Sequence, residues 1–253
     1  MRSVTILLAL SVAAVQPHDL GSPGAVIDRM DEALWPAKSV TADVSLQSSD
    51  EIGPGLDTTM KLVRAEDDSG VRTQVRVIEP AQSLGTVYEV TSAKGKPIER
   101  WVYLPEVRRL RNLIGTRRTD SFLASEFTYE DLDIAAPRES EWQSVEQVDE
   151  NGRTLLRVTG KPYGPYEKVE TLIDPATSLP VRVLYYDRDG QLYKEESFGE
   201  PQTVDGHTMP TRIEMDDVQT GAKSVLSLRN IRLSQPIDEK LFSESPIRAR
   251  RGK

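Results

Sequence analysis

The hydrophobic pattern changes its period near residue 38. Before that point Val26, Ile27, Met30, Ala33 and Leu34 recur at three- and four-residue spacing, with acids and Arg29 between them. Such spacing places one apolar stripe along a helix. Ser22 stands where a cap is needed, Pro23 suits the first helical position, and Pro36 ends the run. Beyond residue 38 the period is two. Val40, Ala42, Val44 and Leu46 alternate with polar residues, and Val71, Thr73, Val75 and Val77 alternate with Arg72, Gln74 and Arg76. Alternation predicts strands with one buried face and one wet face. Strand-like runs follow near 57–65, 84–92, 98–104, 107–113, 142–149, 153–160, 166–173, 181–187, 191–199, 210–216 and 223–233. Turn sequences separate them, among them Asp68-Ser69-Gly70, Glu150-Asn151-Gly152, Asp205-Gly206 and Thr220-Gly221.

About a dozen strands joined by short turns predict a mainly β fold, one large antiparallel sheet that is strongly curved or partly closed. No helical pattern lies between strands, which argues against a parallel α/β sheet. Residues 114–140 break the rhythm. Gly115 to Asp131 reads as a loop with one short helix, closed by Pro137. The first helix and this insertion are the natural covers for an open sheet.

The N-terminus adds a destination. Met1-Arg2-Ser3 is followed by an apolar run from Val4 to Val15 with small residues at Ala13 and Ala14. A basic start, a short apolar run and a small-residue end describe a secretory signal peptide, and the run is too short to span a bilayer. The predicted organisation is a signal peptide over 1–14 cleaved near Ala14, a flexible leader over 15–24, one domain over 25–245, and a basic tail over 246–253. The absence of cysteine excludes disulfides, thiolate chemistry and lipid anchoring through a cysteine. A formal net charge of −8 argues against nucleic-acid binding and against adhesion to anionic membranes.

Candidate chemistry is sparse. The histidines are His18, in the leader, and His207, in a turn. Neither has partners at ligand or triad spacing. Acids are abundant, but pairs such as Glu130-Asp131, Glu195-Glu196 and Asp216-Asp217 point to opposite faces if they lie in strands, and read as solvated edges. Two acids facing each other inside a cavity, with raised pKa values, would reopen the enzyme reading. Arg108, Arg109, Arg111, Arg117 and Arg118 form a basic stretch with no acid between Glu106 and Asp120. Arginine forks suit phosphate or carboxylate, so the stretch reads either as a contact for a lipid headgroup or acidic partner, or as a solvated strand and loop. Trp101, Tyr103, Phe122, Phe127 and Tyr129 cluster beside it. They fill a core or line an apolar ligand site on the concave face. Nothing implies a cofactor or a metal, and the reading is of a non-enzyme.

Two stretches carry a resemblance. Trp101-Val102-Tyr103-Leu104-Pro105-Glu106-Val107-Arg108-Arg109-Leu110-Arg111 is followed by Ser121-Phe122-Leu123-Ala124-Ser125-Glu126-Phe127-Thr128-Tyr129-Glu130-Asp131-Leu132. Together they resemble the outer-membrane lipoprotein-sorting protein family, the LolA-like group often found alongside RND-type exporters. That family's second stretch usually runs Ser-Phe-Met-Gly-Ser-Asp-Phe-Ser-Tyr-Glu-Asp-Leu. Ala124 replaces its glycine here, which bears on the local backbone. Val204 to Pro210 and Ile231 to Phe242 extend the resemblance. It implies an incomplete β-barrel lidded by helices in the periplasm of a Gram-negative envelope. It also implies a monomeric carrier of lipid or lipoprotein acyl chains that works with an inner-membrane exporter. The alternative is an envelope signalling module that binds a protein partner or senses lipid.

Overall fold

The computed structural model describes residues 20–50, 53–55, 57–132, 140–162, 166–243 and 245–251. The proposed signal peptide and His18 lie outside the described residues. Helix α1 (Pro23–Leu34) forms as its pattern predicts. The Ser22 hydroxyl accepts a hydrogen bond from the Ala25 N–H at 3.2 Å, and Pro23 occupies the first turn, where its missing N–H costs nothing. Val26, Ile27 and Met30 are its buried stripe.

Fourteen strands follow among the described residues. They are β1 (Ser39–Asp50), β2 (Gly53–Pro54), β3 (Thr58–Asp67), β4 (Gly70–Glu79), β5 (Val87–Ala93), β6 (Glu99–Leu104) and β7 (Arg109–Asn112), then β8 (Glu141–Glu150), β9 (Arg153–Lys161), β10 (Lys168–Ile173), β11 (Pro180–Tyr186), β12 (Leu192–Val204), β13 (His207–Asp217) and β14 (Lys223–Leu233). All belong to one sheet in the order β7-β6-β5-β4-β3-β1-β14-β13-β12-β11-β10-β9-β8, with the short β2 beside β1. The strands β7 and β8 are consecutive in sequence yet form the two opposite edges, so the sheet is not closed into a barrel. The chain between them, 113–140, therefore has to travel from one edge to the other.

The turn chemistry acts as expected. Asn151 (φ 54°) with Gly152 (φ 76°) joins β8 to β9, and Asp205 (φ 48°) with Gly206 (φ 81°) joins β12 to β13. Two successive positive φ values make the hairpin turn that matches strand twist. His207 is exposed in the second of these hairpins.

One face of the sheet, the inner one, carries the main core. Ala42, Val44 and Leu46 from β1, Met60 and Leu62 from β3, and Tyr88 and Val90 from β5 pack there with Phe122 and Phe127 of the insertion. Helix α1 covers the other end of the same face, against Leu156, Val158 and Ile173.

The outer face is less wet than alternation predicts. Helices α2 (Lys240–Ser243) and α3 (Pro246–Arg251) lie against it. Arg72 makes a bidentate pair with Glu239, both contacts at 2.9 Å, and stands over the Phe242 ring. Gln74 donates to the Leu241 carbonyl at 3.0 Å and is buried as a result. The start of the expected basic tail is helical because Ile247, fully buried, seats against Val87 and Tyr103.

Gly70 opens β4 at φ 139°, and an added Cβ there would lie 2.1 Å from the Ser92 carbonyl oxygen of β5. Only glycine fits both constraints. Gly70→Ala is expected to cost at least about 2 kcal/mol, measured as a lower urea midpoint with an unchanged slope. A midpoint equal to the parent's would show that the β4–β5 contact is looser than described.

Candidate functional site

A cavity of about 270 Å³ lies between the inner face and its covers. Met30 and Leu34 reach it from α1, Trp35 from the residue that caps the helix, and Phe122, Phe127 and Leu132 from the insertion. The sheet contributes residues as far apart as Val90 on β5 and Val169 on β10. One void can touch strands so distant in the sheet order only if the sheet curves around it.

The insertion is fastened as a lid over this space. Phe122 N–H donates to the Phe127 carbonyl at 2.8 Å, closing a tight hairpin at Ser121–Thr128. Leu123 and Ala124 at its tip adopt φ values of 52° and 56°. This is the left-handed region, which explains why a glycine is usual at the position of Ala124 in the similar motif. Tyr88 donates to the Tyr129 carbonyl at 3.2 Å, and the Tyr88, Phe122 and Tyr129 rings pack edge to face and tilted. Glu126 N–H donates to the Ser224 hydroxyl at 2.9 Å, and buried Lys194 donates to the Glu126 carbonyl. Arg118 and Glu130, both buried, form a two-contact ion pair that includes a 2.7 Å hydrogen bond. Removal of either partner would strand a buried charge.

The wall is mostly apolar but has a polar end. Strand pairing places Thr171, Val183, Glu196 and Met215 in one row across β10 to β13, all on the inner face. The Tyr185 hydroxyl donates to Glu196 at 2.9 Å. The Tyr166 hydroxyl donates to Asp131 at 3.3 Å, and Asp131 also accepts from the Thr128 N–H at 2.8 Å. The Tyr166 and Tyr185 rings are 4.7 Å apart. Burial raises the Glu196 carboxyl to about 8, with the nearby charge of Asp131 adding to the effect. Burial also raises Asp131, against the pull of Lys194 and its hydrogen bonds. The Tyr166 and Tyr185 phenols are held well above their ordinary value, first by burial and then by Asp131 and Glu196.

The residues anticipated from sequence separate into distinct places. Phe122 and Phe127 line the cavity, and Tyr129, also in the lid, packs edge to face on Phe122 in the core. Trp101 and Tyr103 do not line it. They share parity on β6, and it is the intervening Val102 that faces inward. Trp101 and Tyr103 pack outside, with Val87 and Ile247. Arg109 and Arg111 are exposed on the edge strand β7, and Arg108 is exposed in the turn before it. Arg118 is buried in its pair with Glu130, so it does not contribute to a surface patch. Side-chain contacts of Arg117 lie outside the described residues. The expectation of solvated acids fails for Glu130, Asp131 and Glu196, which line the cavity. Glu196 had a legible sign in its own strand, since it shares parity with Phe198 on the apolar face. Tyr185 is placed by the register of β11, and Tyr166, which precedes β10, by its packing on the Tyr185 ring and its hydrogen bond to Asp131.

A family model described as "-like: Uncharacterized protein" matches residues 69–249. No curated protein matches the chain. Among solved structures, a DUF1329 family protein from Desulfovibrio piger superposes with a TM-score of 0.79 at 20% identity, covering 89% of this chain and 97% of that one. A putative outer membrane lipoprotein-sorting protein domain from Vibrio parahaemolyticus gives 0.75 at 21% identity over 89% and 97% of the two chains. A LolA superfamily protein from Nitrosomonas europaea gives 0.68 at 18% identity over 88% and 97%. These likenesses establish the fold as that of the lipoprotein-sorting, LolA-like proteins.

The raised carboxyl makes a stability prediction. Between its ordinary value of 4.5 and about 8, Glu196 keeps its proton in the folded chain and loses it on unfolding. Stability therefore falls as pH rises through that window, by at most about 1.4 kcal/mol per pH unit from Glu196 alone, and Asp131 adds in the same direction. Urea titrations from pH 5 to 9 should show this slope, and Glu196→Gln should flatten it and raise stability at pH 8. An unchanged slope in the variant would place the Glu196 carboxyl in contact with water.

Proposed function

The chain belongs to the family whose model spans residues 69–249, and from that membership and its LolA-like fold we propose that it carries a hydrophobic ligand, lipid or lipoprotein acyl chains, on its inner face. The observation that carries this reading is the apolar cavity between the sheet, α1 and the 113–132 lid. Each methylene moved from water into such a wall contributes about 0.8 kcal/mol, so ten of them supply roughly 8 kcal/mol before ordering costs. Binding of this kind needs shape and greasiness more than polar recognition. Entry requires the lid to lift, and its ties through Lys194, Ser224 and Tyr88 are the contacts that would have to loosen.

The carboxylates Asp131 and Glu196 invite comparison with a hydrolase. A glycoside would need polar contacts along its hydroxyl groups, whereas beyond its polar end the wall is mostly Val, Leu, Ile, Met and aromatic side chains. That lining favours a carrier. The proposed place of action is the periplasm, after removal of residues 1–14, with hand-over from or to an inner-membrane exporter. Arg109 and Arg111 on the exposed edge strand β7 are the proposed contact for an acidic partner surface.

The neutral dye N-phenylnaphthylamine tests cavity binding. One dye per chain with a dissociation constant of about micromolar order is expected. Ile213→Trp, which fills the wall, should abolish the signal while far-ultraviolet circular dichroism is unchanged. Absence of binding to the parent chain, or equal binding by a folded Ile213→Trp variant, would overturn the reading.

A further inference from the structure

The charged side chains that line the cavity among the described residues are all acids. They are Asp31, Glu130, Asp131 and Glu196, with no lysine or arginine. The nearby cations are already engaged. Arg118 is paired with Glu130, and Lys194 is held by the carbonyl of Glu126, with its carboxylate 3.8 Å away. Glu196 is 93% buried by its 7% exposure, and one of its oxygens accepts from Tyr185. Its other oxygen has no hydrogen-bond partner among the described residues. Elsewhere on the same wall the Thr73 hydroxyl is buried, at 6% residue exposure, and also lacks a partner. A purely apolar cargo would leave these groups unmatched, and an anionic head would find no lysine or arginine in the lining and would oppose ionisation of Glu196 and Asp131.

We infer that the cavity takes an amphiphile with a positively charged, hydrogen-bond-donating head, such as a primary ammonium, which seats against Glu196 and Asp131 while its chain lies along the apolar wall. This deepens the carrier reading and rests on it. The groups facing the head are Glu196 and Tyr185 from the sheet, Tyr166 before β10, and Asp131 from the lid. The seated ammonium replaces the proton of Glu196, so the pair forms with one proton released. Free fatty acids, the usual expectation for a greasy cavity, are selected against.

The experiment is calorimetric titration of the full chain at pH 7 with dodecylamine, dodecanol and dodecanoate, each below its micelle concentration. Dodecylamine should bind about tenfold or more tightly than dodecanol, with dodecanoate weaker than both. Repetition in buffers of different ionisation enthalpy should show proton release with the amine and none with dodecanol. In Glu196→Gln the advantage of the amine over dodecanol should disappear together with that proton. Dodecanol binding as well as dodecylamine, dodecanoate binding best, or an amine advantage that survives Glu196→Gln would each overturn the inference and leave the carrier reading standing. Failure of all three ligands to bind would overturn the carrier reading and the inference with it.

Discussion

An open curved sheet leaves an apolar face that has to be covered, and this requirement organises the whole chain. The strands run as a meander whose order is cut between β7 and β8, so the two edges never meet. The inner face then has no second sheet to pack on. It is covered by what the chain has left, α1 at the β8–β10 end and the 113–132 segment at the β4–β6 end. The described part of the connection from β7, residues 113–132, is the lid. The topology thus sets the lid's position before any function is considered.

Two covers of this size do not fill the space they span, and the cavity is the remainder. Close packing would stabilise the fold more than a void does. Burial of Glu196 and part-burial of Asp131 costs stability again, because each disfavours its own charge. Buried acids with raised pKa values in a cavity are candidates for a functional site on physical grounds. The lid is held by polar contacts at its margins and by aromatic packing at its centre.

Much of the fold is legible in the sequence because its signals are local. The α1 stripe, its Ser22 cap, the Asn151-Gly152 and Asp205-Gly206 turns and the alternation of β1 all act within a few residues. What the sequence leaves hidden depends on long-range pairing. Trp101 and Tyr103 read as one face, yet which face follows from the register of β6 with β5 and from the docking of Ile247. Gln74 reads as wet until the C-terminal segment covers it. Glu196 reads as one of many surface acids; its parity with Phe198 hints at the inner face, and the row through Val183 and Met215 shows it to be inside. The arginine-rich stretch divides for the same reason, with Arg118 drawn under the lid by Glu130 while Arg109 and Arg111 stay on an edge.

The central claim is that the cavity holds a greasy ligand in the cell. Native mass spectrometry of the chain purified from its host envelope, followed by organic extraction and identification of what is released, addresses it most directly. The account predicts a population carrying one lipid-sized adduct that is lost on extraction. A chain that is empty as isolated, and still empty after incubation with envelope lipids, would contradict it.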